Sequence, residues 1–121
     1  MPEWGPLEVE RSERGHPAVT WIRLRGLLGG TQQSFEFLEG IQKDSRQGPM
    51  RLVIDLTDVA HLASAGVGIL AAIYISLMKS GGHLCLIGLS GRVAAILRVV
   101  HLFDVLPHAD SEDEAIRIVG G

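Results

Sequence analysis

The chain has 121 residues, 46% of them hydrophobic, which is the size and apolar content of one ordinary domain with a single core. Eleven Lys and Arg against 14 Asp and Glu give a formal charge of -3, with no basic block to neutralise a run of phosphates, which argues against nucleic acid as a partner. Cys85, the single cysteine, lies in the apolar run His83-Leu84-Cys85-Leu86-Ile87, so it cannot form an internal disulfide; it packs as a small hydrophobe and fits a reducing, cytoplasmic setting.

Residues 1–6 lack a basic region followed by an apolar one, so nothing there marks secretion, and they read as a loose N-terminal arm. Leu7 to Arg11 alternates in polarity, and after the Gly15-His16-Pro17 turn so does Val19 to Leu24, which predicts a hairpin. Gly29-Gly30 then breaks the chain, and Thr31 caps a helix whose apolar Phe37, Leu38 and Ile41 follow helical spacing, a reading that Gly40 weakens. After Gln47-Gly48-Pro49, the β-branched, nearly all-apolar run Leu52 to Leu56 predicts a central strand covered on both faces.

A helix is expected from Ser64 to Lys79, then a second buried strand from Leu84 to Ile87. Ser90 caps a third helix from Gly91 to Val100, in which Val93, Ile96, Leu97 and Val100 recur at helical spacing. Val105-Leu106 reads as a short strand, and Ser111 and Glu114 have the capping-box spacing ahead of a last helix from Ala115 to Val119. A hairpin followed by alternating strands and helices implies an α/β fold, a mixed sheet with about four helices packed on it, in a single domain over residues 1–121.

The stretch from Val59 to Met78 carries no formal charge when His61 is neutral, and is long enough to raise a transmembrane reading. Ser64, Gly66, Gly68 and Ser76 dilute it, and Lys79-Ser80-Gly81-Gly82 closes it, so a buried helix without a membrane span is the better expectation. Gly66-Val67-Gly68-Ile69-Leu70-Ala71 fits the dinucleotide fingerprint, but the preceding strand ends near Leu56 and no acid follows at the next strand's end. Close packing or helix flexibility explains these glycines better, and no cofactor is expected. Leu62 stands where a nucleophile elbow at Ser64 needs glycine, and the histidines at 16, 61, 83, 101 and 108 give neither triad order nor metal spacing. His101 and His108 read as surface or loop residues, and neither catalysis nor a metal site is expected.

At its plainest Ser64 is an N-cap, worth about 1 kcal/mol through one otherwise unpaired N–H. Its neighbours Ala63, Ala65 and Gly66 leave the backbone approachable by another protein, at a helix mouth whose dipole favours an added phosphate. The helix behind it, Val67 to Met78, is apolar on nearly every face, as a helix buried in the core and also at a partner interface would be; together with Trp21 it leaves room for a homodimer.

The order of elements, and the stretch Val53-Ile54-Asp55-Leu56-Thr57 through Ser64-Ala65-Gly66-Val67-Gly68, resemble the STAS family of sulfate transporter and anti-sigma factor antagonist domains. The likeness runs from about Leu7 to Val119 and includes Gly81-Gly82-His83-Leu84 and Leu89-Ser90-Gly91-Arg92-Val93. The resemblance implies a STAS-like mixed sheet without catalysis, and in the antagonist branch a serine phosphorylated by a partner kinase that is also an anti-sigma factor. By its place in the D-S-[ST]-G pattern Ser64 is that serine, and Thr57, Ala63, Ser64, Ala65, Gly66, Ser90 and Arg92 form the implied contact surface. The chain departs from the pattern at Ala63 and Ala65, and it reads Gly26-Leu27-Leu28-Gly29 where the family tends to G-E-[LI]-D. These missing acids point to a second reading, an unphosphorylated accessory component of a transport or signalling assembly.

Overall fold

The computed structural model describes residues 5–89 and 91–120. Ser90, expected to cap a helix and to contact a partner, lies outside the described residues, as do residues 1–4 of the N-terminal arm. Strands β1 (Glu8–Arg14) and β2 (Val19–Leu28) form the expected antiparallel hairpin, in register from Glu8 opposite Arg25 to Arg14 opposite Val19. β3 (Arg51–Leu62) runs parallel to β2 on one side and to β4 (His83–Ile87) on the other, giving one mixed sheet in the order β1-β2-β3-β4.

Both long strands outrun their apolar cores. β2 and β3 keep pairing through Gly26 with Val59 and Leu28 with Leu62, with register shifts between Arg23 and Arg25 and between Gly26 and Leu27. Val59 and Leu62 return to the core, while Ala60 is exposed and His61 half-buried.

Four helices pack on this sheet: α1 (Gln32–Ser45), α2 (Ser64–Lys79), α3 (Gly91–Val99) and α4 (Glu112–Ile118). Thr31 caps α1 by accepting the Ser34 N–H at 3.2 Å, and the helix runs through Gly40, which is exposed and touches nothing across the fold. Ser111 caps α4 by accepting the Glu114 N–H at 3.1 Å.

The sheet separates two apolar layers. Ile22, Leu24, Ile54, Leu56 and Leu86 point to the face that α1, α2 and α3 cover through Phe37, Ile41, Leu70, Ile73 and Leu97. The alternate residues Val19, Trp21, Val53, Cys85 and Ile87 point to the other face and pack with Ala109, Ala115 and Val119 of the last segment and α4.

Two expectations are corrected. Val105-Leu106 is no strand: both amides turn back to the Leu102 carbonyl, at 3.1 and 2.9 Å. The chain instead meets β4 at His108, where the Leu86 N–H donates to Pro107 O at 2.8 Å and the Ala109 N–H to Leu86 O at 3.0 Å. Trp21 is 2% exposed, with the Arg14 guanidinium 3.8 Å from its ring centroid, so it offers nothing to a dimer. α2 buries Val67, Ile69, Leu70, Ile73 and Leu77 in the core and leaves Ile75 and Met78 about half exposed, so its apolar surface also reaches the outside. Among the described residues no helix is long and apolar enough to cross a membrane.

Cys85 is sealed into the α4 side of the sheet, and burial, reinforced by the Glu114 carboxylate, pushes its thiol up from 9.0 to about 11. The neutral form is the one the fold holds, so this contribution to stability is intact below pH 9 and is lost as pH rises from there through about 11. Iodoacetamide at pH 8 is expected to label Cys85 in urea-unfolded protein and to leave the native thiol unreacted over the same interval, read by intact mass. Labelling of the native chain at the unfolded rate contradicts this burial.

Candidate functional site at the start of helix α2

The end of β3 is where the chain brings its small residues together. The Ala63 N–H donates to Leu28 O at 3.0 Å, which holds Ala63 in an extended conformation (φ -88°, ψ 168°) as the N-cap of α2. The Ala63 carbonyl then accepts the Val67 N–H at 3.1 Å and starts the helix. Ser64 is therefore the first helical residue, and the N-cap role expected of it falls to alanine, because pairing with β2 continues one residue further than the apolar pattern suggests. No side chain caps α2. The N–H groups of Ser64, Ala65 and Gly66, the first three of the helix, lie beyond the reach of its own i–4 carbonyls.

Ser64 is exposed, while Ala63 and Ala65 are half-buried and face the β2–α1 loop. A Cβ on Gly29 would stand 3.0 Å from that of Ala63, and one on Gly30 would stand 3.7 Å from that of Ala65. Four residues with almost no side chain thus meet where two loops cross. Ser34 anchors the same crossing from beneath, accepting the Gly29 N–H and the Thr31 hydroxyl at 3.0 and 2.9 Å. Gly66 is buried rather than available for contact, because it packs on the Leu28 carbonyl.

Thr57 and Arg92 belong to a second group. Asp55, 3% exposed, accepts the Thr57 N–H at 2.9 Å and its hydroxyl at 2.6 Å, and pairs through its other oxygen with Arg23 Nε at 3.4 Å. Gly88, at φ 74°, crosses directly over this turn on the way to α3, so close that a Cβ would meet Thr57 N at 2.5 Å. Arg92 is exposed in the first turn of α3. The residues from 58 to 63 separate Thr57 from Ser64, up to about 20 Å along an extended strand. The expected contact surface is therefore two patches along one end of the sheet.

A model of the STAS domain matches residues 12–115. The chain belongs to the STAS family. Among curated proteins it is similar to the anti-sigma-B factor antagonist of Listeria monocytogenes, 33% identical over 63 residues, which is 52% of this chain and 55% of that protein. The match spans about half the length of that relative. Among solved structures, an anti-sigma factor antagonist from Mycobacterium paratuberculosis superposes with a TM-score of 0.75 at 24% identity, over 94% of this chain and 96% of that one. The anti-sigma factor antagonist SpoIIAA superposes in its unphosphorylated form with a TM-score of 0.74 at 20% identity, over 96% and 98%. Its phosphorylated form, from Bacillus, gives 0.68 at 19%, over 91% and 97%. The mixed four-stranded sheet with four helices is thus the SpoIIAA-like STAS fold.

Two features near the candidate site lay outside the sequence reading. Phe35 is 45% exposed on α1, off the buried stripe of Phe37 and Ile41. The Gln42 Nε2 bond to Ser76 Oγ at 3.3 Å sets α1 beside α2, so Phe35, two turns before Gln42, comes level with the first turns of α2. An aromatic residue out of phase with its helix was the available signal. Asp55 was the other: an acid in an apolar strand, two residues before a threonine, has the spacing of a side chain that caps its own turn.

Proposed function

We propose that this STAS domain is a non-catalytic regulatory module of the anti-sigma factor antagonist type. It docks an anti-sigma factor with serine kinase activity through Ser64, Ala63, Ala65 and the adjoining Gly29-Gly30 loop, with Thr57 and Arg92 at the margin. The observation that carries the reading is Ser64 itself, exposed on the first turn of an uncapped helix and ringed by residues too small to screen it. A phosphate on Ser64 adds about -1.5 to -2 charges, and the free N–H groups and helix dipole tolerate it there without unfolding α2. On a docking surface the same charge must be desolvated against the partner, so modification blocks binding while the fold stays intact.

A second reading is favoured by one observation: the first turn of α2 holds no acidic residue, and Ala63 and Ala65 take the polar positions beside the serine. In it the domain is a constitutively docked, unphosphorylated component of a transport or signalling assembly. Ser64→Asp is expected to weaken capture of the kinase by at least about tenfold in calorimetric titration while Ser64→Ala binds like the native chain, with far-ultraviolet circular dichroism unchanged in both. Intact mass of protein from its own cells, purified under phosphatase inhibition, separates the readings. One added phosphate on Ser64 supports the switch, and undiminished capture by Ser64→Asp takes Ser64 out of it.

A further inference from the structure

The sheet has two edges, and the chain itself closes one of them. β4 is covered by residues 107–109, through the two hydrogen bonds of Leu86. β1 pairs with β2 alone, so its outer side meets no other strand among the described residues. An open edge offers a row of unpaired N–H and C=O groups, and charged side chains normally keep other strands away from it. β1 reads Glu8-Val9-Glu10-Arg11-Ser12-Glu13-Arg14, and its side chains are exposed, apart from a half-buried Arg14.

The order of these charges is self-complementary. A second copy of β1 laid antiparallel about a two-fold axis at Ser12 sets Glu10 opposite Arg14, Arg11 opposite Glu13 and Ser12 opposite itself, each charged pair occurring twice. Directly opposed residues share a face with Cβ atoms about 5 Å apart, so each pair is in reach. The neighbouring registers do not share this property. Centring on Arg11 opposes Arg11 to itself, and one step short of Ser12 opposes Glu10 to Glu13; one step beyond opposes Arg11 to Arg14, and centring on Glu13 opposes Glu13 to itself.

The sheet's own charge rows run the same way. On the α4 face Asp55 of β3, Arg23 of β2 and Glu10 of β1 lie in one cross-strand row, and an incoming Arg14 continues the alternation of sign. Both arginines of β1 are already held in place, Arg11 on Asp44 and Arg14 on Glu112, each at 2.6 Å. A guanidinium has five donors, so each can take a second carboxylate without leaving the first.

We propose that β1 pairs with β1 of a second copy of this chain in the register centred on Ser12, joining two four-stranded sheets into one of eight strands. The charge pattern that repels a foreign strand admits its own copy. The pairing supplies roughly four to six backbone hydrogen bonds over a small area, so the dimer is weak and sensitive to salt. This proposal rests on the β1 edge and is independent of Ser64.

Sedimentation equilibrium of the full chain tests it, over a series reaching about 1 mM at about 20 mM and about 500 mM salt. The average mass is expected to climb toward twice the monomer at low salt and to fall back at high salt. Glu13→Arg alone and Arg11→Glu alone each create two like-charge pairs and are expected to weaken association about tenfold. Mixed in equal amounts they restore it, because every pair between the two variants is again Glu with Arg. A chain that stays monomeric at about 1 mM in low salt overturns the proposal. So does a dimer indifferent to Glu13→Arg, or a mixture that fails to recover. Matching thermal melts keep these readings clear of misfolding, and Glu13→Arg, which alters no ion pair of the fold, decides the matter alone.

Discussion

Gly66→Ala is expected to lower stability by about 2–4 kcal/mol, while Gly68→Ala, two residues on in the same helix, raises it by up to about 1 kcal/mol. The difference lies in what a methyl group would meet. At Gly66 it would fall on the Leu28 carbonyl, with the carbonyl carbon at 2.8 Å and the Leu62 side chain also at 2.8 Å. Leucine can move, but the Leu28 carbonyl cannot, because it accepts the Ala63 N–H that starts α2. At Gly68 nothing lies within 4 Å, so alanine there only removes the entropy that glycine loses on entering a helix. Thermal melts are the measurement, with a fall of roughly 10 °C expected for Gly66→Ala and a small rise for Gly68→Ala. Two shifts of the same sign would mean that α2 does not sit on β2 as described.

That contact also matters for the proposed docking site. α2 can approach the end of β2 so closely only because residue 66 has no Cβ, and this approach brings Ala63 against Gly29 and Ala65 against Gly30. Gly66→Ala is therefore expected to push the Ser64 turn away from the β2–α1 loop, which links a packing requirement to the shape of the binding surface. Of the two glycines in the pattern that resembled a dinucleotide fingerprint, Gly66 is required by packing and Gly68 is not.

The elements were legible in the sequence where side-chain periodicity and backbone pairing agree. The hairpin, the end of α2, and the caps at Thr31 and Ser111 follow from local rules that the tertiary structure leaves alone. Legibility fails where pairing outlasts the apolar pattern. β3 continues past Leu56 because β2 supplies partners as far as Leu28, and that extension moves the N-cap from Ser64 to Ala63. Val105 and Leu106 mislead for the opposite reason: β-branched and apolar residues sit in a turn because the chain must reverse after α3, and the β4 edge is met only at His108. The candidate site divides the same way. Ser64 and its small neighbours were readable as a local motif, whereas their pairing with Gly29 and Gly30, 34 or 35 residues earlier in the chain, belongs to the parallel register of β2 and β3.

Asp55→Ala is expected to cost about 2–3 kcal/mol, although the residue sits in the run Leu52 to Leu56, otherwise built of Leu, Val and Ile. Its carboxylate is enclosed and holds two donors of Thr57, the backbone N–H and the hydroxyl, at 2.9 and 2.6 Å. Alanine leaves the Thr57 N–H and hydroxyl without the acceptor that closes the turn beneath Gly88. The ion pair with Arg23 is the smaller part, because the bond is 3.4 Å long and the arginine side chain is 40% exposed, which leaves at most about 1 kcal/mol after screening. Three variants separate these contributions by urea denaturation. Asp55→Asn keeps an acceptor for Thr57 and is expected to lose about 1 kcal/mol, close to the loss from Arg23→Ala, with Asp55→Ala well beyond both. If Arg23→Ala costs as much as Asp55→Ala, the ion pair and not the turn holds this end of the sheet. Hydrogen exchange adds the functional side: Asp55→Ala frees the Thr57 amide and loosens the crossing of Gly88 toward Arg92, while protection at Val67, bonded to the Ala63 carbonyl, persists. The two halves of the proposed docking surface then respond separately, as expected of patches set on different strand connections.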